Sequence, residues 1–432
     1  MKKKIERNIL GLIANNSFHN MITIYVNTFL VAYLLNISAG NFFNVALYYV
    51  IAYSVMIVSY SFFSFIICKF KKIHIMRGAI LLSCVMLGII AFLQENIVNF
   101  LVPISLVYNL CNGMYWSANN SLSNELIKGK KLQSYNTYNS VVSSITSIIV
   151  PVVFGGIIDS SSLFIISIFA TIVGLLQIAT TFILDIPKHS PHNFDLKGYY
   201  DNCYNKGHKT CFNLLFLGYF FYGLKDAISV LITILIVLSF KTNTSLGAIS
   251  SLISCLTIFI LIFTNKWRSK RNATMFLATT CIAVTSVFLL MTNINKITII
   301  FFNIAYSSLL AINNRSFAVK RSGLIRAIDK KDYIVEHQAV SELFLNIGRT
   351  IFYSILLIAS FSNNVNVYRT ILAISVSFIA LFGIFSYFLE KEYQKILIER
   401  EFKKQINRMI EDHEYFIPCY SNPYPHNETN LR

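Results

Sequence analysis

Charged side chains stand in this sequence where apolar helices leave no water to hold them. Asp226 lies about fifteen residues into an apolar run, roughly 22 Å along a helix axis at 1.5 Å per residue, and its short side chain cannot reach back to a polar boundary. Arg349 stands near the middle of another run, residues 340–360, and helical spacing puts it on one face with Glu342, Asn346 and Tyr353. Unpaired charges at such depth are costly, so partners are expected. The simplest pairs are Asp226 with Arg349, and Glu342 with Arg315. Lys225 could instead neutralise Asp226 or contribute to an anion site. A carboxylate lining a cavity can take up a proton on one side of a membrane and release it on the other. His19 is a second proton candidate. The competing reading for each charge is a static pair that fixes helix packing, and Glu342 near the polar boundary is read that way.

Polar stripes accompany these charges. Asn16, Asn20, Thr23 and Asn27 recur every three or four residues with His19 beside them, and a later run carries Asn109, Asn112, Trp116, Asn119, Asn120 and Ser123. Two more runs carry Tyr219, Tyr222, Lys225, Asp226, Ser229 and Thr233, then Asn303, Tyr306, Asn313 and Asn314. Such stripes either line a solute path or bond neighbouring helices to one another.

The elements that position them are membrane spans. Of the 432 residues, 55% are hydrophobic and 13% charged, against roughly a quarter charged in a soluble domain. Runs able to cross a hydrocarbon core of ~30 Å fall near 9–35, 43–67, 74–93, 97–123, 138–158, 162–184, 211–239, 246–264, 273–292, 297–318, 340–360 and 367–389. Only helices satisfy every backbone group of such runs in lipid. The first run is too long for a signal peptide's apolar region and lacks a cleavage site.

Of the 37 lysines and arginines, 31 fall in segments assigned to the cytoplasm, and only Lys241, Lys296 and Arg369 in outer loops. That asymmetry predicts both termini inside a cytoplasmic membrane. The net charge of +17 is therefore a topological signal, which excludes nucleic acid as the partner. The eight cysteines have no disulfide framework spacing. His189, His192, Cys203, His208 and Cys211 match no standard zinc spacing, so residues 186–210 are expected to be a flexible polar linker. Residues 390–432 are expected to form an amphipathic helix on the cytoplasmic face, with Ile398, Phe402 and Ile406 on one side, and then a disordered tail. No glycine loop ending in Lys-Ser/Thr is present, so nucleotide does not power the chain and no cofactor is expected.

The chain divides into halves that echo each other. Lys69-Phe70-Lys71-Lys72 answers Lys266-Trp267-Arg268-Ser269-Lys270-Arg271, and Asn119-Asn120 answers Asn313-Asn314. With Asn112-Gly113-Met114-Tyr115-Trp116, Pro151 before Gly155-Gly156, Gly223-Leu224-Lys225-Asp226, and Glu342 with Gly348-Arg349, these stretches give a resemblance covering residues 1 to about 390. The chain resembles a major facilitator superfamily permease, most of all uncharacterised permeases of low-GC Gram-positive bacteria. It departs from the family's signatures in lacking the acid of the loop between spans two and three and the arginine of antiporter span four.

The resemblance implies an all-α polytopic protein of twelve transmembrane helices in two pseudo-symmetric six-helix bundles, residues 1–185 and 211–389. It places spans one, four, seven and ten, which carry the four stripes, around a central cavity. The implied function is secondary active transport of a small solute by alternating access, by a monomer in the bilayer. Proton-coupled efflux is one form of it, and the direction stays open because inward symport and outward antiport use the same architecture. A membrane-embedded enzyme would need a His/Asp or His/Glu cluster at one face, and none is found. The remaining alternative is a transporter-like sensor or partner-binding subunit.

Overall fold

The computed structural model describes residues 2–127, 130–160, 163–186, 191, 193–205, 209–240, 242–267, 272–328, 330–362 and 365–414. Helix is the only regular structure among them. In chain order, α1 (Lys2–Ile24) passes through a π-helical segment, Tyr25–Leu30, into α2 (Val31–Ile37). There follow α3 (Phe43–Lys69), α4 (Lys72–Leu93), α5 (Leu101–Leu126), α6 (Lys130–Ser160) and α7 (Leu163–Thr180). A short α8 (Leu196–Tyr199) leads to α9 (Lys209–Asp226), α10 (Ile228–Phe240), α11 (Asn243–Trp267), α12 (Asn272–Thr292), α13 (Lys296–Ala327), α14 (Ile334–Ala359) and α15 (Val365–Glu414).

Ten helical stretches among the described residues are long and apolar enough to cross a membrane. One of them, Lys72–Leu126, holds both α4 and α5, and the chain reverses between them at Gln94, whose φ is 43°. N-cap side chains close some helix starts, though not those of α3, α4, α5 and α14. At the start of α13, for example, the Asn295 side chain accepts from the amides of Ile297 and Thr298 while the Thr298 hydroxyl bonds back to Asn295.

Most helices of α1 to α7 pack on one another, and most of α9 to α15 likewise. The two sets meet along α3 with α14, α2 with α10, and α6 with α11, where α6 and α11 pack more on each other than on their own sets. At the end of the molecule away from the chain termini, one continuous apolar core draws on both sets, joining Phe29, Leu34, Tyr49 and Phe154 to Leu231, Ile236, Leu290 and Tyr353. At the termini end the core splits. One cluster gathers Leu12, Ile67, Met76, Leu122 and Leu184; another gathers Phe212, Leu215, Leu324, Leu389 and Tyr393. The sets thus share one core at one end, the sealed end, and divide into two at the other, where Val335 of α14 still reaches the first cluster and Arg326 of α13 donates to Asn124 of α5 at 3.0 Å.

Two expectations change. Residues 193–205 are not a loose linker: Tyr199 and Cys203 are buried, the Asp195 amide donates to Glu336 Oε1 at 3.0 Å, and Tyr199 pairs with His337 Nδ1 at 2.8 Å. Apolar contact and hydrogen bonds to Glu336 and His337 of α14 overcome the polar composition there. The region after residue 390 is not a separate helix either, because α15 continues without a break to Glu414. Tyr393 and Ile396 are buried against the second set, whereas Ile398 and Phe402 face outward. Residues 415–432 lie outside the described residues, as do His189, His192 and His208.

Candidate functional site

The site is built where two helices lose their regularity. The first helix of each set is interrupted partway along: α1 by the π-helical segment that carries Asn27, and α9 at Asp226, before α10 begins at Ile228. Single π-turns inside helices recur at functional sites. Paired interruptions at corresponding places in two repeats are the sequence-level mark of a transporter binding site. The groups freed at the second break are re-bonded by side chains: Ser229 Oγ donates to the Asp226 carbonyl at 2.6 Å, and the Tyr306 hydroxyl donates to the Lys225 carbonyl.

Asp226 and Arg349 are brought together by glycine. A Cβ on Gly223 would lie 2.0 Å from the Leu345 carbonyl oxygen, and one on Gly348 would lie 2.1 Å from that of Phe220. The backbones of α9 and α14 therefore touch, which side chains at these positions would forbid. Asp226 is one turn past the first glycine and Arg349 one residue past the second, so their side chains meet. Arg349 donates to Asp226 Oδ2 through Nε at 2.9 Å and Nη2 at 2.5 Å, and to Asn346 Oδ1 through Nη1 at 3.3 Å. Both members of the pair remain about a fifth exposed, at 20% and 18%.

The first set contributes aromatic rings and an amide. Tyr53 lies under the guanidinium of Arg349, 4.9 Å from ring centroid to carbon, within cation–π range. Tyr49 and Tyr53 on α3 both stack on Tyr353 of α14, at 4.6 and 5.3 Å. The Tyr49 hydroxyl donates to Asn27 Oδ1 at 3.1 Å, and Asn27 is exposed although its neighbours Tyr25, Val26, Phe29 and Leu30 are buried. A line of contacts thus runs from Asn27 through three tyrosines to the ion pair and crosses from one set to the other.

The other sequence candidates take different places. Lys225 points away from Asp226, since successive helix residues differ by about 100°. It is fully buried, with Nζ 4.5 Å from the ring of Phe382 and 4.7 Å from that of Tyr222, and has no hydrogen-bond partner among the described residues. Glu342 pairs with Arg321 at 2.5 Å, a partner that the expected Arg315 pairing did not name. The side chains of Asn313, Asn314 and Arg315 lie outside the described residues. His19 is stacked on Tyr115 at 3.9 Å and edge-on to Trp116 at 5.1 Å, inside the first set. Asn20 bonds Ser143, Asn112 bonds Asn109, Asn119 bonds Asn16 and Asn120 bonds Tyr60. Asn20, Asn119 and Asn120 thus join helices within one set, whereas Asn112 bonds along its own helix.

Sequence reasoning missed Tyr49 and Tyr53, and it placed Asn346 on the face of Arg349 without giving it a role. The signal for the first two was their own four-residue spacing, and Asn346 stands three residues before Arg349 on the same face. Cys203 and Cys211 are both buried, and burial pushes the Cys203 thiol up to about 11.

The described residues thus form a bundle of long apolar helices, two of them interrupted, with a charged pair at one interruption. The chain belongs to the Major Facilitator Superfamily, whose family model matches residues 9–324. It is 24% identical over 420 residues to the uncharacterized protein YqgE of Bacillus subtilis (strain 168), covering 93% of this chain and 95% of that protein. Among solved structures, the fold is similar to a bacterial homologue of the iron transporter ferroportin in its inward-facing state, with a TM-score of 0.64, 14% identity, and coverage of 91% and 99% of the two chains. It is also similar to a proton dependent oligopeptide transporter (0.65, 11%, 92% and 99%) and to the human organic anion transporter MFSD10 (0.62, 12%, 90% and 99%). The family and these neighbours mark a transporter and not an enzyme.

Proposed function

We propose that this chain is a secondary active transporter that moves a small polar solute across the cytoplasmic membrane by alternating access. In this reading twelve spans form two six-helix bundles, 1–185 and 211–389. The stretch Lys72–Leu126 contributes two spans, and α13, with its apolar first half Lys296–Ser307, contributes another. Both termini are cytoplasmic, as the lysine and arginine distribution requires. The sealed end is then the outer one and the divided end the inner one, so the conformation is inward-facing.

The observation that carries the proposal is the Asp226–Arg349 pair, partly exposed beside a helix break and linked through Tyr53, Tyr353 and Tyr49 to Asn27 of the opposite bundle. A structural pair has no need of a broken helix or an open side. With one carboxylate and one guanidinium, the site suits a solute carrying both an anionic and a cationic group, its body resting on Tyr53. When the solute's anionic group draws Arg349 away, Asp226 loses its counter-ion and takes up a proton, which couples solute to the proton gradient. The test is thermal stabilisation of the purified protein across a panel of zwitterionic, anionic, cationic and neutral solutes. Stabilisation that disappears in Arg349→Gln supports the site; stabilisation unaffected by Arg349→Gln places binding elsewhere.

A further inference from the structure

Four hydrogen bonds across the sealed end converge on Asp159, the penultimate residue of α6, which no expectation singled out. Its two carboxylate oxygens divide the first residues of α11 between them. Oδ1 accepts from the Asn243 amide at 3.1 Å and from its side-chain Nδ2 at 2.9 Å. Oδ2 accepts from the Thr244 amide at 2.7 Å and from its hydroxyl at 2.5 Å. The next amide, of Ser245, is satisfied within its own segment by Thr242 Oγ1 at 3.2 Å. A helix start leaves several amides without partners and favours negative charge. Here the cap for two of them is supplied by the other half of the molecule.

The surrounding seam is built to seat this cap. A Cβ on Gly155 would lie 2.5 Å from the Asn243 carbonyl oxygen, and one on Gly247 would lie 2.1 Å from that of Pro151. Further in, Ser251 donates to the Ile148 carbonyl. All of these contacts join α6 to α11, and so one bundle to the other. Asp159 itself is exposed, so water can replace its partners when the seam parts. The cap is therefore worth little on an absolute scale, as suits a contact that must break in every cycle.

We infer that Asp159 is the outer gate residue: its carboxylate caps α11 across the bundle interface in the inward-facing state and must release Asn243 and Thr244 before the solute site opens outward. The inference rests on the proposed orientation. Its test uses the full chain with native cysteines replaced and one cysteine at position 27, in vesicles of known sidedness. Reaction with an impermeant thiol reagent is timed from each face, with Lys296→Cys as the orientation control.

Loss of a cap of ordinary strength shifts such an equilibrium by about three- to tenfold. Asp159→Ala should raise outside labelling at position 27 by that factor and lower inside labelling, with Asp159→Asn and Thr244→Val intermediate. General loosening would raise labelling from both faces, which would overturn the gate assignment. Equal rates in Asp159→Ala, Asp159→Asn and the parent would overturn it too. If Lys296→Cys reacts only from inside, the orientation fails instead, and position 27 then reports the cap with the faces exchanged. Should Asp159→Ala not be recovered folded, the other two variants carry the comparison.

Discussion

Arg349 places two donors, Nε and Nη2, on the same oxygen of Asp226, Oδ2, and leaves Oδ1 without a hydrogen-bond partner among the described residues. A pair that existed only to neutralise itself in lipid would gain from using both oxygens in the side-by-side arrangement that a guanidinium and a carboxylate prefer. The unused oxygen and the partial exposure leave the pair able to exchange partners.

Removing one member should therefore harm the fold and the coupling separately. Breaking a buried pair costs about 3–5 kcal/mol, and less here because each side chain keeps about a fifth of its surface, 20% and 18%. Asp226→Asn and Arg349→Gln should each lower the melting temperature by several degrees, and the double variant should recover most of that loss. Gradient-driven transport in proteoliposomes should stay absent in the double variant. Its full return would make the pair structural and leave Glu342 or His19 to be tested as proton carrier.

The glycine contact behind the pair gives a second expectation. Gly223→Ala and Gly348→Ala drive a methyl group into backbone oxygens 2.0 and 2.1 Å away. Overpacking of this kind costs about 1–3 kcal/mol or more. Both variants should be less stable than the parent and lose solute binding together with it. An alanine variant of unchanged melting temperature would show that α9 and α14 do not cross this closely.

Orientation can be checked by thiol labelling of single cysteines. Positions 241, 296 and 369 should react from outside, and 70, 268 and 330 only from inside. Ready labelling of position 268 in intact cells would contradict twelve spans with cytoplasmic termini.

Cutting the chain tests the two bundles and the segment between them. Fragments 1–190 and 191–432 should co-purify in mild detergent, because few contacts other than the α3–α14, α6–α11 and α2–α10 seams are needed to join them. Fragments 1–190 and 205–432 should reassemble less well, since they lose the Asp195–Glu336 and Tyr199–His337 bonds. Equal recovery would show that residues 191–204 only connect. In the whole folded protein Cys203 should resist alkylation at pH 8, where a thiol pushed up to about 11 carries almost no thiolate, and should react once denatured.

The reach of the sequence is clearest around α9. Depth along an apolar run was enough to expect Asp226 to seek Arg349, because lipid leaves a short carboxylate no other recourse. Depth could not separate Arg315 from Arg321 as partner of Glu342, since six residues along a helix change the face and only packing selects it. It could not show that Lys225 turns into the rings of Tyr222 and Phe382 instead of toward its neighbour. The asparagine stripes were legible as stripes, yet Asn20, Asn119 and Asn120 spend their amides on helix contacts, and composition cannot tell a wall from a joint. The break after Asp226 carries no proline to announce it, and Asp159 gave no sign because its partners are about 85 residues away in sequence.

The most direct measurement of the central claim is flux of a solute that stabilises the purified protein, followed in proteoliposomes with an imposed pH gradient. The account predicts saturable movement that the gradient accelerates and that falls to the level of protein-free vesicles with Arg349→Gln. A solute that binds and stabilises the protein, yet crosses no faster with it than with Arg349→Gln, would contradict transport and leave a sensor or partner-binding subunit on a transporter fold.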